Sequence, residues 1–152
     1  METSDTTRLL EDLHQTLEDG RQGFETAADK LNEDGHADLA SQMREFSQQR
    51  SRLSSELVTE AGNLGMNFDT GNGSAKGSLH RGWMSMKDAL TGSDPHAILA
   101  AAERGEDHAV AKYKEVLDED IPAGLKAFVT KQATEVKAAH DKVRELRDAN
   151  AS

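Results

Sequence analysis

Residues 103–113 read ERGEDHAVAKY, a glycine surrounded by carboxylates and a histidine. Carboxylates and imidazoles are the side chains that bind metal ions or transfer protons in proteins. A related stretch, EDGRQGFETAA, occurs earlier in the chain and has Gly20 where the later stretch has Gly105. The same alignment sets Arg21 of the earlier stretch against Glu106 of the later one. The spacing therefore raises the question of whether the chain holds a metal or an ion pair in its place.

A diiron site is one interpretation of these carboxylates. Ferritin-like diiron proteins use one Glu on each of two helices and a Glu-x-x-His pair on each of the other two. The chain offers EFSQ at residues 45–48 and QATE at residues 132–135, and neither stretch ends in histidine. Amides are poor ligands for iron. A metal site would therefore have to use a reduced set of ligands for iron, namely Glu45, Glu106, Glu135 and His140.

An ion pair is the simpler interpretation. Polar groups are tolerated in a bundle core only when they are hydrogen-bonded or bound to something. Arg21 would place a fixed positive charge where the first carboxylate of a diiron site binds the metal, so we expect Arg21 to pair with Glu106. The role of this ion pair would be to fix the register of the helices. The complete predicted polar core cluster is Arg21, Gln49, Glu106 and Gln132.

Apolar and small residues recur in alternating steps of three and four along four segments. This spacing predicts four long helices packed in a left-handed bundle. On the second segment the seam passes through either Gln49 or Arg50. No segment has the period-two alternation of a β-strand. The apolar seams cover residues 10–31, 39–57, 99–116 and 125–146.

The connection between the second and third long helices, residues 62–93, is unusually long. Residues 62–78 are rich in Gly, Asn and Ser and are typical of a loop. Residues 79–90, LHRGWMSMKDAL, predict a short amphipathic helix. We expect Trp83 to anchor this crossover on the bundle, because it is the one large aromatic side chain in residues 79–90. His80 and Arg81 are expected at the rim of that anchor.

Two helical hairpins joined by a long crossover are typical of a ferritin-like four-helix bundle. A glycine inside a helix costs about 1 kcal/mol relative to alanine. The matched Gly20 and Gly105 on two inward seams therefore indicate a close approach at both points and a duplicated hairpin. We predict an all-α fold, a single ferritin-like domain over residues 1–152 with its crossover at residues 62–93.

The composition restricts the partners of the chain. Its 152 residues include 18 Lys and Arg against 28 Asp and Glu, a net charge of −10, which disfavours nucleic acid and anionic lipid. We find no apolar run long enough to span a membrane and no secretory signal. The absence of cysteine excludes disulfides and thiolate metal sites. We therefore expect a cytoplasmic protein without nucleic-acid or membrane partners. We also expect a homodimer, because single small ferritin-like bundles often pair through their helix faces.

Several motifs together resemble one known family. Residues 77–117, with EDGRQGF, FSQQRS and AAHDKVRELRD elsewhere in the chain, resemble a bacterial family of small ferritin-like four-helix-bundle proteins of unknown function. The pairing of HRGW with AERGED is the most specific part of this resemblance, which implies a ferritin-like fold. ERGED is also similar to the first-helix glutamate motif of diiron hydroxylases that modify ubiquinone precursors, which implies a ligand role for Glu106. The chain departs from that second pattern at Arg21 and Gln48.

Three functional hypotheses follow. The leading one is a non-enzymatic ferritin-like bundle without catalytic residues or a cofactor. A stress-related role is one option for it. The alternative is an iron-binding protein or diiron oxidase. The third is an adaptor or assembly unit that dimerises through its crossover helix or a bundle face.

Overall fold

The computed structural model describes residues 3–68 and 82–151, so His80 and Arg81 lie outside the described residues. Within this part of the chain there are helices and no strands, which confirms the predicted all-α class. None of these helices combines the length and apolar character needed to cross a bilayer. The helices are α1 (Thr3–Glu33), α2 (Ala37–Asn63), α3 (Met86–Ala89), α4 (Pro95–Leu117) and α5 (Ala123–Ala149).

Helix ends follow local chemistry that is visible in the sequence. After α1, Gly35 has a φ of +87°, a conformation that favours glycine, and the His36 N–H donates to the Leu31 carbonyl at 2.8 Å. Before α4, the Asp94 carboxylate accepts a hydrogen bond from the His96 N–H at 3.0 Å, and Pro95 is the first helical residue. These two signals determine the end of α1 and the start of α4.

The short helix of the crossover begins later than the predicted residue 79. In the described part of the crossover, α3 is limited to Met86–Ala89, and residues 82–85 form turns. Gly82 has a φ of +80°, which a right-handed helix does not allow. A Cβ at Gly82 would lie only 2.6 Å from the Cβ of His108 on α4. The glycine therefore lets the chain turn tightly against α4 before α3 starts.

Two apolar clusters fill the core, one at each end of the bundle. The first contains the first half of α1, the second halves of α2 and α4, and the first half of α5. The second contains the opposite halves of the same helices, together with Trp83 and Met86 of the crossover. Each long helix packs against two others, in the cyclic order α1, α2, α5, α4. Neighbouring helices are antiparallel, because each cluster joins the first half of one helix to the second half of the next. The end of α2 and the start of α4 consequently lie at opposite ends of the bundle.

Candidate functional site: a buried ion pair in the core

A polar layer separates the two apolar clusters. On α2, Arg50 lies between the buried residues Met43 and Leu53, and on α4 Glu106 occupies the equivalent mid-helix position. Arg50 Nη2 donates a hydrogen bond to Glu106 Oε2, and both side chains are 0% exposed. Because α2 and α4 lie diagonally opposite in the bundle, this ion pair crosses the centre of the core.

Neighbouring residues on three sides hold the Arg50 side chain. Its Nε donates to Gln49 Oε1 at 3.2 Å, and its guanidinium carbon lies 5.5 Å from the centroid of the Phe24 ring. Such a cation–π contact is stronger when the cation is shielded from water. A Cβ at Gly20 would lie 3.6 Å from Arg50 Cγ, so Gly20 packs directly against the arginine stem. The long side chain is thus fixed by α1 as well as by α2 and α4.

The electrostatics of Glu106 follow from its complete burial. Burial raises the pKa of the Glu106 carboxyl above its usual range, and the positive charge of Arg50 acts in the opposite direction. A buried carboxylate without a partner would be strongly destabilising, which explains why the guanidinium lies beside it. The pair supplies one fixed positive and one fixed negative charge at the centre of the bundle.

A second buried polar unit connects α5 to its neighbours. Gln132 is 1% exposed, donates through Nε2 to the Leu53 carbonyl at 3.0 Å and accepts from the Tyr113 hydroxyl at 2.9 Å. Gln49 Nε2 donates to the Glu135 backbone carbonyl at 3.3 Å, a further α2–α5 contact. Burial raises the pKa of Tyr113 well above its usual value. The two predicted glutamines therefore hydrogen-bond between helices. Tyr113 belongs to the same layer, and its hydroxyl is the feature that its position on an apolar seam did not reveal.

The predicted partner of Glu106 was wrong. Arg21 lies on the surface of α1, 36% exposed, where it binds Glu18 at 3.1 Å and Glu25 at 3.0 Å. It follows the inward-facing Gly20 by one residue, and one residue turns a helix by about 100°. The guanidinium in the core is instead that of Arg50.

A sequence signal could have identified Arg50. Alternating steps of three and four from Met43 through Phe46 lead to residue 50, and the same steps back from Leu57 through Leu53 return to it. Strict alternation therefore selects Arg50 over Gln49 as the inward residue. The observed burial agrees, since Arg50 is fully buried whereas Gln49 is only partly buried.

The four predicted metal ligands are not brought together. Glu45 is exposed, and Glu135 Oε1 accepts from Arg52 Nη2 at 2.5 Å near the surface. His140, 9% exposed, has Nε2 at 2.5 Å from Asp107 Oδ1 and Nδ1 at 3.1 Å from an Asp141 oxygen. In residues 3–68 and 82–151 no group of three His, Cys, Asp or Glu side chains is arranged to hold a metal ion.

Trp83 is almost completely buried, at 1% exposure, and its indole lies between α1 and α4. A Cβ added at Gly23 or at Gly105 would lie 2.2 Å from a ring atom of Trp83. The ring of Phe24 packs edge-on against the indole, with centroids 5.0 Å apart. Trp83 thus packs the described part of the crossover against α1 and α4.

The predicted equivalence of Gly20 and Gly105 is wrong in detail. Gly105 faces the Trp83 indole, whereas Gly20 faces the stem of Arg50. The residue on α1 that corresponds to Gly105 in space is Gly23, three residues further along the chain. Each glycine of the first stretch leaves room for one large side chain, Gly20 for that of Arg50 and Gly23 for that of Trp83.

The ion pair and the tryptophan anchor lie within a segment that a family model recognises. A comparison with curated proteins gives no match. A model of one protein family, described as a domain of unknown function (DUF2383), matches residues 5–119. This segment includes Arg50, Trp83 and Glu106 and extends from α1 through α4. Because the match covers most of its length, the chain belongs to the DUF2383 family.

Proposed function

We propose that this protein is a non-enzymatic, ferritin-like helical bundle in which the Arg50–Glu106 ion pair takes the place of a diiron site. The observation that carries the proposal is the complete burial of this pair at mid-helix, between two apolar clusters. The connectivity supports the ferritin-like part, because the chain forms two antiparallel hairpins, and the end of the first and the start of the second lie at opposite ends of the bundle.

The charges in the polar layer support the proposal that an ion pair replaces a diiron site. In a diiron bundle, several inward carboxylates surround metal cations that supply the positive charge. Here Glu106 meets a guanidinium, which is permanently protonated and has no lone pair to offer a metal. The tethered positive charge of Arg50 neutralises the carboxylate and repels cations. The layer is therefore suited to holding the helices together and lacks the ligand set for redox chemistry.

Hydrogen bonds from the same layer support a role in helix register. Gln132 connects α5 to the Leu53 carbonyl of α2 and to Tyr113 of α4. The Arg50–Glu106 pair adds a connection between α2 and α4. A shift of any of these helices by one residue would leave buried polar groups without partners, at a cost of about 1–3 kcal/mol each. The cluster thus specifies one alignment of three helices.

We further propose that the protein acts in the cytoplasm as a homodimeric assembly unit. Large apolar side chains that remain exposed in the described residues are Val58 at 36%, Leu64 at 43% and Met84 at 54%. They offer a second copy apolar contacts on the α2 and crossover surfaces. Light scattering at micromolar concentration measures the mass directly, and a monomeric mass would contradict this part of the proposal.

Iron loading tests the core of the proposal. The purified protein is incubated with ferrous iron without oxygen and desalted, and its metal content is measured by mass spectrometry. We expect less than stoichiometric iron in the wild-type protein. Arg50→Glu should increase retention, because it sets two carboxylates in the layer, whereas Arg52→Glu, a control for an exposed arginine on the same helix, should not. Stoichiometric iron in the wild type that is lost in Glu106→Ala would overturn the proposal.

A further inference from the structure

The contact between Arg50 and Glu106 leaves one hydrogen-bonding atom unused on each side chain. Arg50 donates through Nε to Gln49 and through Nη2 to Glu106 Oε2. Arg50 Nη1 and Glu106 Oε1 are shielded from solvent and have no partner in the part of the chain that the structure describes. A two-point contact between guanidinium and carboxylate would use both atoms. Because the two side chains meet at one point only, a buried donor, Arg50 Nη1, and a buried acceptor, Glu106 Oε1, have no partner.

Buried polar atoms in folded proteins nearly always have a hydrogen-bond partner, and ordered water is the usual one where protein atoms are missing. On the α1 side, Nη1 faces Gly20, a residue without a side chain. A Cβ at Gly20 would lie 3.8 Å from Nη1, so this inward position of α1 places no side chain over that atom. Because Nη1 and Oε1 belong to the two groups that meet at the Nη2–Oε2 contact, one small molecule beside that contact is the simplest partner for both atoms.

We infer that a single water molecule is bound inside the bundle, accepting a hydrogen bond from Arg50 Nη1 and donating one to Glu106 Oε1. The ion pair is neutral as a whole, so an anion would be repelled by Glu106 and a cation by Arg50. Water is a neutral molecule with both a donor and an acceptor. The two unused atoms of the pair support this water independently of whether the protein is ferritin-like.

Burial also determines how this water exchanges with the solvent. Both side chains that hold it are 0% exposed, and the Phe24 ring lies between the guanidinium and the buried Trp83. The water therefore leaves only when the bundle opens locally, so it resides far longer than a surface water. Long residence makes it visible to magnetic relaxation dispersion of the solvent nuclei.

Two measurements test the inference. A crystal structure of the wild-type protein, at a resolution that resolves ordered water, should have density for one water between Arg50 Nη1 and Glu106 Oε1. Relaxation dispersion should detect one long-lived water fewer in the double variant Arg50→Met with Glu106→Leu. The matched surface variant, Arg52→Met with Glu135→Leu, removes an exposed ion pair and should retain it.

Several results would overturn the inference. They are an empty site, an ion at the site, or a two-point Arg50–Glu106 contact in the electron density. An equal number of long-lived waters in the wild type and in the core double variant would also overturn it. If that variant does not fold, the wild-type density decides alone.

Discussion

The indole of Trp83 occupies the space that a side chain at Gly105 would need. A Cβ on Gly105 would lie 2.2 Å from Trp83 Cε2, closer than any real contact, and Gly23 of α1 faces the other part of the ring in the same way. A mid-helix glycine costs about 1 kcal/mol relative to alanine. Two such glycines are therefore explained by the ring between them, which fastens the crossover to α1 and α4.

Gly105→Ala should destabilise the protein in spite of its better helix propensity. The new methyl group must displace a packed indole, and such overpacking costs about 1–3 kcal/mol. Urea unfolding followed by circular dichroism measures the change. Gly62→Ala is the matched control, because Gly62 is helical with nothing within 4 Å of the added Cβ, and it should be neutral or slightly stabilising. Equal stability of the two variants would contradict the close contact.

Trp83→Ala should cost about 3–5 kcal/mol, the range for removing a large buried aromatic side chain. Because Trp83 is the single tryptophan and is 1% exposed, the native emission should be blue-shifted and shielded from iodide. Unfolding should shift the emission to the red. Lys87→Ala, which truncates an exposed side chain of α3, should leave stability within about 0.5 kcal/mol of the wild type. Native emission typical of exposed tryptophan would contradict the anchor.

The helices could be predicted from the sequence because each long one depends on local information. Seams of apolar residues in steps of three and four determine which face is buried. The stop at Gly35 and the start at Asp94 depend on backbone chemistry within a few residues. The start of α3 was missed because the break at Gly82 depends on its contact with His108, a residue distant in sequence.

The site could be predicted only in part for a related reason. Glu106 and Gln132 interrupt otherwise apolar seams, so their burial was visible in the pattern. The partner of Glu106 lies on α2, and the pairing depends on which helices face each other across the bundle. An internal similarity between two stretches pointed to Arg21 instead, which lies one residue off the seam. Likewise, Gly23 has no seam signal, because its contact with Trp83 comes from the crossover.

Stability should fall at alkaline pH because of Tyr113. Burial raises the pKa of its hydroxyl above the ordinary value of 10.0, so the folded protein keeps a proton that the unfolded chain loses. The contribution of Tyr113 to the free energy of unfolding is fully present below about pH 10. It decreases above that pH, by up to about 1.4 kcal/mol per pH unit. Since Tyr113 is the only tyrosine, absorbance at 295 nm reports its ionisation directly. The phenolate signal should appear together with unfolding.

Tyr113→Phe provides the control for this pH dependence. It removes the hydroxyl that donates to Gln132, at a cost of about 1–3 kcal/mol for the buried amide left without its partner. The difference in stability between wild type and variant should then shrink above pH 10, because the variant has no phenol to ionise. A tyrosine that titrates near pH 10 in the folded protein would contradict its burial and its bond to Gln132.

The last prediction concerns the energetics of the Arg50–Glu106 pair. Glu106→Leu alone leaves a buried guanidinium without its carboxylate and should destabilise by about 3–5 kcal/mol. Arg50→Met alone leaves a buried carboxyl, which can bind a proton, and its pKa is already raised by burial. The destabilisation of that variant relative to the wild type should therefore be smaller at lower pH. Urea unfolding at several pH values measures both.

Replacing both residues, as Arg50→Met with Glu106→Leu, should be much milder than Glu106→Leu alone, because no buried charge remains and the packing volume is kept. Arg21→Met, which removes an exposed arginine with surface partners, should change stability by no more than about 1 kcal/mol. If the double variant were as damaged as the single one, the pair would contribute through packing rather than charge. If Arg21→Met were the most damaging of these changes, the core arginine would have been assigned to the wrong residue.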